Sequence, residues 1–148
     1  AGSRGMAGGQ ALDMEATGRD IGLAELENLH IHKTGALILA SVRLGAMAAG
    51  ASTDKRLSKL EHYAKCIGLA FQVHDDVLDV EGDTAVLGKT GGKDAAAAKA
   101  TYPALIGLEA AREMANGLVD DALDSIAAFD AAADPLRQLA RYIVGRSH

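Results

Sequence analysis

Aromatic side chains make up only 3% of these 148 residues, and tryptophan is absent. A β-sheet core draws on aromatic and β-branched residues, so this scarcity, beside abundant alanine, favours close-packed helices. Proline is almost missing as well: Pro103 and Pro135 are the only two, which leaves long spans that a helix can run through unbroken. Cys66 is the single cysteine, so no intrachain disulfide can form, and the context reads as cytoplasmic. Positive charge is in deficit, with 15 Lys and Arg against 20 Asp and Glu, a net charge of -5. A nucleic-acid binder carries a basic footprint, so no nucleic-acid partner is expected. No apolar run reaches 18 residues, and the N-terminus lacks the charged and apolar regions of a signal peptide, so no membrane insertion is expected. What is present is a 49% hydrophobic content, enough to bury the core of one domain.

The pattern along the chain is helical throughout. Residues 1–10 are glycine-rich and could pass for a tag remnant, and 11–20 read as the end of a short helix and a loop. From Leu23 to Ala49 the apolar residues Leu37, Ile38, Val42 and Leu44 recur at helical spacing, and Gly50 ends the run. Thr53 or Asp54 can cap a next helix that reaches about Val80. Residues 82–94 read as one long glycine-rich loop. A helix is expected from Pro103 to about Phe129, then a last one from Leu136 to Val144 with Asp134 as its cap and Pro135 in its first turn. No internal repeat and no alternating strand pattern is found. The expected class is all-α.

Within this frame Asp75-Asp76-Val77-Leu78-Asp79 calls for an explanation, because it sets three carboxylates inside the otherwise apolar stretch Ile67 to Val80. Like charges three and four apart on a helix repel by roughly 0.2–0.5 kcal/mol per pair. A shared cation removes that cost. At about 100° per residue, Gly68, Gln72, Asp75, Asp76 and Asp79 fall on one arc, and most of the remaining circumference is apolar. Such a helix is mostly buried, so its narrow polar stripe should face an internal cleft. Oxygen-only ligands point to Mg²⁺ or another hard cation, held through one or two carboxylates together with substrate phosphates. The same letters recur at Asp120-Asp121-Ala122-Leu123-Asp124. There Val119, Ala122, Leu123 and Ile126 form one apolar face and the aspartates lie opposite, as in an ordinary surface helix.

A site for Mg²⁺ and diphosphate also needs fixed cations. Lys33, beside Thr34, sits between apolar turns; alone it reads as a lysine snorkelling to solvent. Lys89, with Thr90 and Lys93, sits in the glycine-rich segment. Gly88-Lys89-Thr90 is not a P-loop, since Asp83 stands where the first glycine belongs and no strand precedes it. The five histidines, His30, His32, His62, His74 and His148, have no zinc-site spacing, and His74 points away from the acidic stripe as a packed histidine would.

Phe71-Gln72-Val73-His74-Asp75-Asp76-Val77-Leu78-Asp79, followed by Gly82-Asp83-Thr84 and Leu87-Gly88-Lys89, resembles the second aspartate-rich motif of the class I trans-prenyltransferases. His32-Lys33-Thr34-Gly35 is similar to their lysine–threonine motif, Gly9-Gln10-Ala11-Leu12-Asp13 to their glycine–glutamine motif, and Lys99 to Pro103 to the segment after the loop. Ala1 to Met6 then also resembles natural family sequence. The resemblance implies an all-α bundle of the isoprenoid synthase type. Its activity would be a Mg²⁺-dependent condensation (Mn²⁺ as an alternative) of isopentenyl diphosphate with an allylic diphosphate, dimethylallyl or geranyl, with farnesyl diphosphate as the expected product. It implies Asp75, Asp76 and Asp79 as metal ligands and Asp75 as catalytic through the metal. Lys33 and Lys89 would contact the allylic diphosphate, Thr34 and Gln72 would lie beside the developing cation, and Gln10 would support the cleft. The 82–94 loop would close over the substrate. A homodimer is implied for the complete enzyme. The family's first aspartate-rich motif and its isopentenyl diphosphate ligands have no counterpart here, so residues 1–148 are expected to be the C-terminal half of such a domain, inactive alone. The alternative is a non-catalytic helical subunit that keeps one metal–diphosphate wall.

Overall fold

The computed structural model describes residues 1–50, 55–87 and 100–146, with 83–87 described as backbone only. Among the described residues all regular structure is helical. In order these are α1 (Met6–Ala16), α2 (Leu23–His30), a π-helical turn (Ile31–Gly35), α3 (Ala36–Ala48), α4 (Lys55–Leu87), α5 (Tyr102–Ile106), α6 (Leu108–Ser125), a 3₁₀ turn (Ala131–Ala133) and α7 (Asp134–Gly145).

Helix α4 is the axis, 33 residues long, or about 50 Å at 1.5 Å per residue. Its first half buries Tyr63, Cys66, Ile67 and Ala70 against Val119, Ala122 and Ile126 of α6 and its following turn, and Ala140 and Ile143 of α7. Its second half buries Val73 and Val77 with Ala111 and Ala115 of α6 and Tyr102 of α5. Alanines at these contacts let α4 and α6 approach closely, and each fully buried valine contributes roughly 1.5–3 kcal/mol. Tyr63 Oη donates to the Leu136 carbonyl at 2.7 Å, tying α7 to α4. Burial pushes the Tyr63 phenol up to about 12.

The opposite flank of α4 meets the π-helical turn and α3 through glycines. A Cβ on Gly68 would stand 3.2 Å from the Gly35 Cα and 3.5 Å from Ile38 Cδ1. A Cβ on Gly9 would stand 2.1 Å from the Lys33 amide nitrogen. Backbone therefore packs on backbone where α1, the π-helical turn and α4 come together; a side chain at Gly9 would force α1 off the turn, and one at Gly68 would require a shift of a few tenths of an ångström.

Several boundaries differ from the sequence expectation. Residues 82–87 continue α4 and do not belong to a loop. Just before them, Arg112 of α6 donates from Nε to Glu81 Oε1 at 3.0 Å, which fastens α4 beyond the aspartates. The rest of the expected loop, with Lys89, Thr90 and Lys93, and the expected caps Thr53 and Asp54 lie outside the described residues. The helix expected after Pro103 is two helices, because Gly107 adopts φ 89°, a left-handed conformation that ends α5 before α6 begins. Asp134 is the first residue of α7 and pairs with Arg137 at 2.6 Å. Ala133 stands at the cap position of α7 with no side-chain bond, and the carboxylate of Asp130 caps the preceding 3₁₀ turn, accepting from Ala132 N at 3.0 Å. Arg137 also donates to the carbonyls of Ile126, Phe129 and Asp130, satisfying the turn that follows α6. The run from Leu23 to Ala48 is interrupted in register by the π-helical turn, while the backbone stays in the right-handed helical region at both of its ends.

Candidate functional site

The π-helical turn carries His32, Lys33 and Thr34. Such turns cost hydrogen-bond geometry and recur at functional sites, where the wider turn re-aims side chains. Lys33 does not snorkel to solvent. Its Nζ reaches Asp13 Oδ2 of α1 at 2.5 Å, with 12% of the aspartate side chain exposed. Thr34 Oγ1 donates to Gln72 Oε1 of α4 at 2.5 Å. This bond joins the lysine–threonine turn to α4 one helical turn before the first aspartates. His32 Nδ1 turns back to the Asn28 carbonyl at 2.8 Å. Gln10 is exposed on α1, one turn before Asp13.

The three aspartates of α4 diverge. Asp75 Oδ1 accepts from Arg146 Nη2 at 2.8 Å, and 45% of its side chain is exposed. Asp76 Oδ2 accepts the Tyr102 backbone N–H at 2.9 Å, which caps the start of α5. Asp79 is exposed. The polar stripe expected from the helical plot is present, but it does not line one closed cleft. An apolar cavity of about 500 Å³ lies between the π-helical turn, α4 and α6, walled by Gly35, Leu39, Cys66, Leu69 and Leu118. None of the three aspartates, Lys33, Thr34 or Gln72 lines it.

Around Asp76 the environment is buried and acidic. The Tyr102 ring stacks on His30 with centroids 5.7 Å apart. Burial raises the Tyr102 phenol far above its ordinary value, and the carboxylates of Glu27 and Asp76 add to the rise. His74 is a packed residue: its Nε2 lies 3.1 Å from the Arg146 carbonyl, which can only accept, so the proton sits on Nε2.

Among the described residues no group of three or more His, Cys, Asp or Glu is arranged as a metal cage. Mg²⁺ does not require one, since it usually takes one or two carboxylates and completes its shell with water and substrate phosphate. Asp75, through the oxygen that Arg146 leaves unused, and the exposed Asp79 one turn on are hard donors that fit this requirement. Asp76 has one oxygen committed to Tyr102. The second copy of the pattern is a solvated face: Asp120, Asp121 and Asp124 are exposed, while Val119, Ala122 and Ile126 are buried.

Three partners went unassigned in the sequence: Asp13, Tyr102 and Arg146. Asp13 closes the segment Gln10-Ala11-Leu12-Asp13, so its place in a motif was a usable signal. Arg146 lies 71 residues from Asp75, and no spacing rule joins them.

The polyprenyl synthetase family profile matches residues 2–136. Farnesyl diphosphate synthase of Escherichia coli (strain K12) is 53% identical over 149 residues, covering 99% of this chain and 50% of that protein. The apo crystal structure of an FPP/GFPP synthase from Zymomonas mobilis superposes with a TM-score of 0.80 at 39% identity, over 96% of this chain and 46% of that one. A geranyltransferase from Helicobacter pylori, crystallised in complex with magnesium and isoprenyl diphosphate, superposes with a TM-score of 0.72 at 33% identity, over 97% and 48%. The chain thus spans about half the length of the relatives it matches. With the match running from the N-terminal turn into α7, and the same helical architecture in the solved relatives, the chain belongs to the polyprenyl synthetase family.

Proposed function

We propose that this chain supplies one wall of the active site of a Mg²⁺-dependent trans-prenyltransferase, which joins isopentenyl diphosphate to dimethylallyl or geranyl diphosphate and yields farnesyl diphosphate. Residues 1–148 correspond in this reading to the C-terminal half of one all-α domain. The observation that carries the reading is the Thr34–Gln72 hydrogen bond. It brings the lysine–threonine turn beside the aspartate-bearing stripe of α4, although the two motifs lie 38 residues apart. The relatives named farnesyl diphosphate synthase and geranyltransferase support the substrate class, and the magnesium complex of the latter supports the metal.

Diphosphate leaves poorly until its charge is neutralised, and Mg²⁺ bound at the site would supply that neutralisation. Asp75 and Asp79 would hold the cation directly or through water, with Asp76 fixing α5 against the same helix turn. Lys33, oriented by Asp13, supplies a fixed ammonium for the allylic diphosphate, whose growing negative charge it stabilises in the transition state. Lys89 is the second ammonium in this reading and lies outside the described residues. Because Thr34 spends its hydroxyl proton on Gln72, its oxygen lone pairs stay available to the developing allylic cation and assist loss of the proton after condensation. Gln10 supports the wall from α1. The stripe Leu37, Leu44 and Met47 is exposed along α3 and supports a further protein surface there, either the rest of the domain or a partner in a homodimer. Among the described residues no helix is long and apolar enough to cross a membrane, and a cytoplasmic location is part of the proposal.

The test is calorimetry of Mg²⁺ with inorganic diphosphate. Binding that is lost in Asp75→Ala and retained in Asp121→Ala is the expected result. Equal behaviour of the two variants overturns the assignment. The alternative is a non-catalytic helical subunit that retains this wall; the half-length coverage of the relatives fits both readings equally. The alternative predicts metal–diphosphate binding with no condensation by any longer polypeptide that contains this sequence.

A further inference from the structure

We infer that Arg146 is a positioning residue for Asp75, holding one carboxylate oxygen so that the other faces the cation. The inference rests on the reading of Asp75 as a metal ligand.

Three contacts converge on Arg146 from a single stretch of α4. Its Nη2 donates to Asp75 Oδ1 at 2.8 Å. Its guanidinium carbon lies 4.3 Å from the centroid of the Phe71 ring. Its carbonyl oxygen accepts from His74 Nε2 at 3.1 Å. Phe71 and Asp75 are four apart and share a helix face, so the ring forms a shelf on which the planar guanidinium lies while one edge meets the carboxylate. The His74 bond fixes the backbone from which the side chain departs. Only 15% of the Arg146 side chain is exposed, so the guanidinium has little freedom to leave.

Arg137 provides the contrast. It spends its donors on the carbonyls of Ile126, Phe129 and Asp130 and on the Asp134 carboxylate, as an arginine with a purely structural task does. Arg146 instead leaves its buried Nε without a hydrogen-bond partner among the described residues, an arrangement that costs folding free energy. Its position is thus dictated by the ring and the carboxylate and not by satisfaction of its own donors. A carboxylate offers about four acceptor sites; one bond from Nη2 orients the group and leaves Oδ2 for a cation. Partners of this kind around metal ligands are typically worth 10–100-fold in metal affinity.

The experiment measures Mn²⁺ binding to the full 148-residue chain in the presence of inorganic diphosphate, by electron paramagnetic resonance, with far-ultraviolet circular dichroism confirming the fold of each variant. Arg146→Gln is expected to weaken Mn²⁺ about tenfold. Arg146→Lys, which keeps the charge and loses the planar fork, should recover only part of that loss. Phe71→Leu removes the shelf but not the charge, gives an independent variant should Arg146→Gln not fold, and should weaken Mn²⁺ severalfold. Arg137→Gln should lower thermal stability and leave Mn²⁺ affinity unchanged. Unchanged or tighter binding in Arg146→Gln, with binding still abolished in Asp75→Ala, overturns the inference and spares the metal reading; tighter binding would mean that the guanidinium competes with the cation. A wild-type chain that binds no Mn²⁺, or an Asp75→Ala chain that binds it normally, overturns both.

Discussion

Residues 75–79 and 120–124 spell the same pattern, Asp-Asp-x-Leu-Asp, on two helices that pack against each other. In α6 the apolar residues between the aspartates face α4, and all three carboxylates stand in water. In α4 the helix is covered from several sides, so its aspartates meet other elements: Asp75 meets the end of α7 through Arg146, and Asp76 meets the start of α5 at Tyr102. The letters are equal and the neighbours are not. Three carboxylates at helical spacing become chemically distinctive where packing treats them differently: Asp75 and Asp76 each gain a separate partner, and Asp79 stays exposed.

The widest separation between the two copies should appear in turnover. In a polypeptide of full family length, Asp75→Ala is expected to lower kcat at least about tenfold, or about 1.4 kcal/mol, as measured by transfer of labelled isopentenyl diphosphate into product. A smaller effect than that of Asp121→Ala would dissolve the comparison. Next comes stability. Asp76→Ala removes the acceptor for the Tyr102 N–H and should cost about 1 kcal/mol, lowering Tm by roughly 3 °C. Asp76→Asn, which keeps a carbonyl oxygen, should lose less. On the other helix, Asp121→Ala should change stability by less than about 0.5 kcal/mol, read by the same thermal melt. The finest difference concerns Cys66. Burial pushes its thiol pKa up, with the Asp121 carboxylate adding to the rise and Lys65 opposing it. Alkylation at mildly alkaline pH should therefore be slow in the folded chain and speed up greatly in denaturant, because the thiolate is the reactive form. Asp121→Asn should accelerate the folded-state reaction only slightly, and a large acceleration would show that the exposed copy is less inert than its surroundings indicate.

The sequence revealed the helical class, the burial of α4 and the solvated nature of 120–124, because each rests on periodicity that a single helix expresses by itself. His74 as a packed residue followed from the same plot. The misses share a different physical origin. The Asp75–Arg146 pair and the Asp76–Tyr102 bond span 71 and 26 residues, and no local pattern encodes which distant donor reaches a carboxylate. The run of α4 through residues 82–87 ignores the turn-forming preference of Gly82 and Asp83, and the Arg112–Glu81 contact with α6 shows tertiary structure at that end outweighing local propensity. Lys33 reads as a solvent-seeking lysine until α1 brings Asp13 against it. Periodicity already favoured 75–79 over 120–124; the resemblance supplied which distant segments belong with it, and the contacts at Gly9 and Gly68 show two of those segments packed against the π-helical turn.

The π-helical turn at Ile31–Gly35 can also be counted as a length. Relative to a continuous α-helix from Leu23 to Ala48 it accommodates one surplus residue. Excising that residue would restore regular hydrogen bonding and change the length of the run by no more than about 1.5 Å, because the wide turn spends one more residue than an α-helical turn on a single revolution. α3 would keep its phase, and Ile38 would stay against Gly68. The loss would fall on the turn itself, where Lys33 and Thr34 would leave the places from which they reach Asp13 and Gln72. A one-residue deletion here should thus leave helix content intact while dismantling only the pair of contacts that the turn carries.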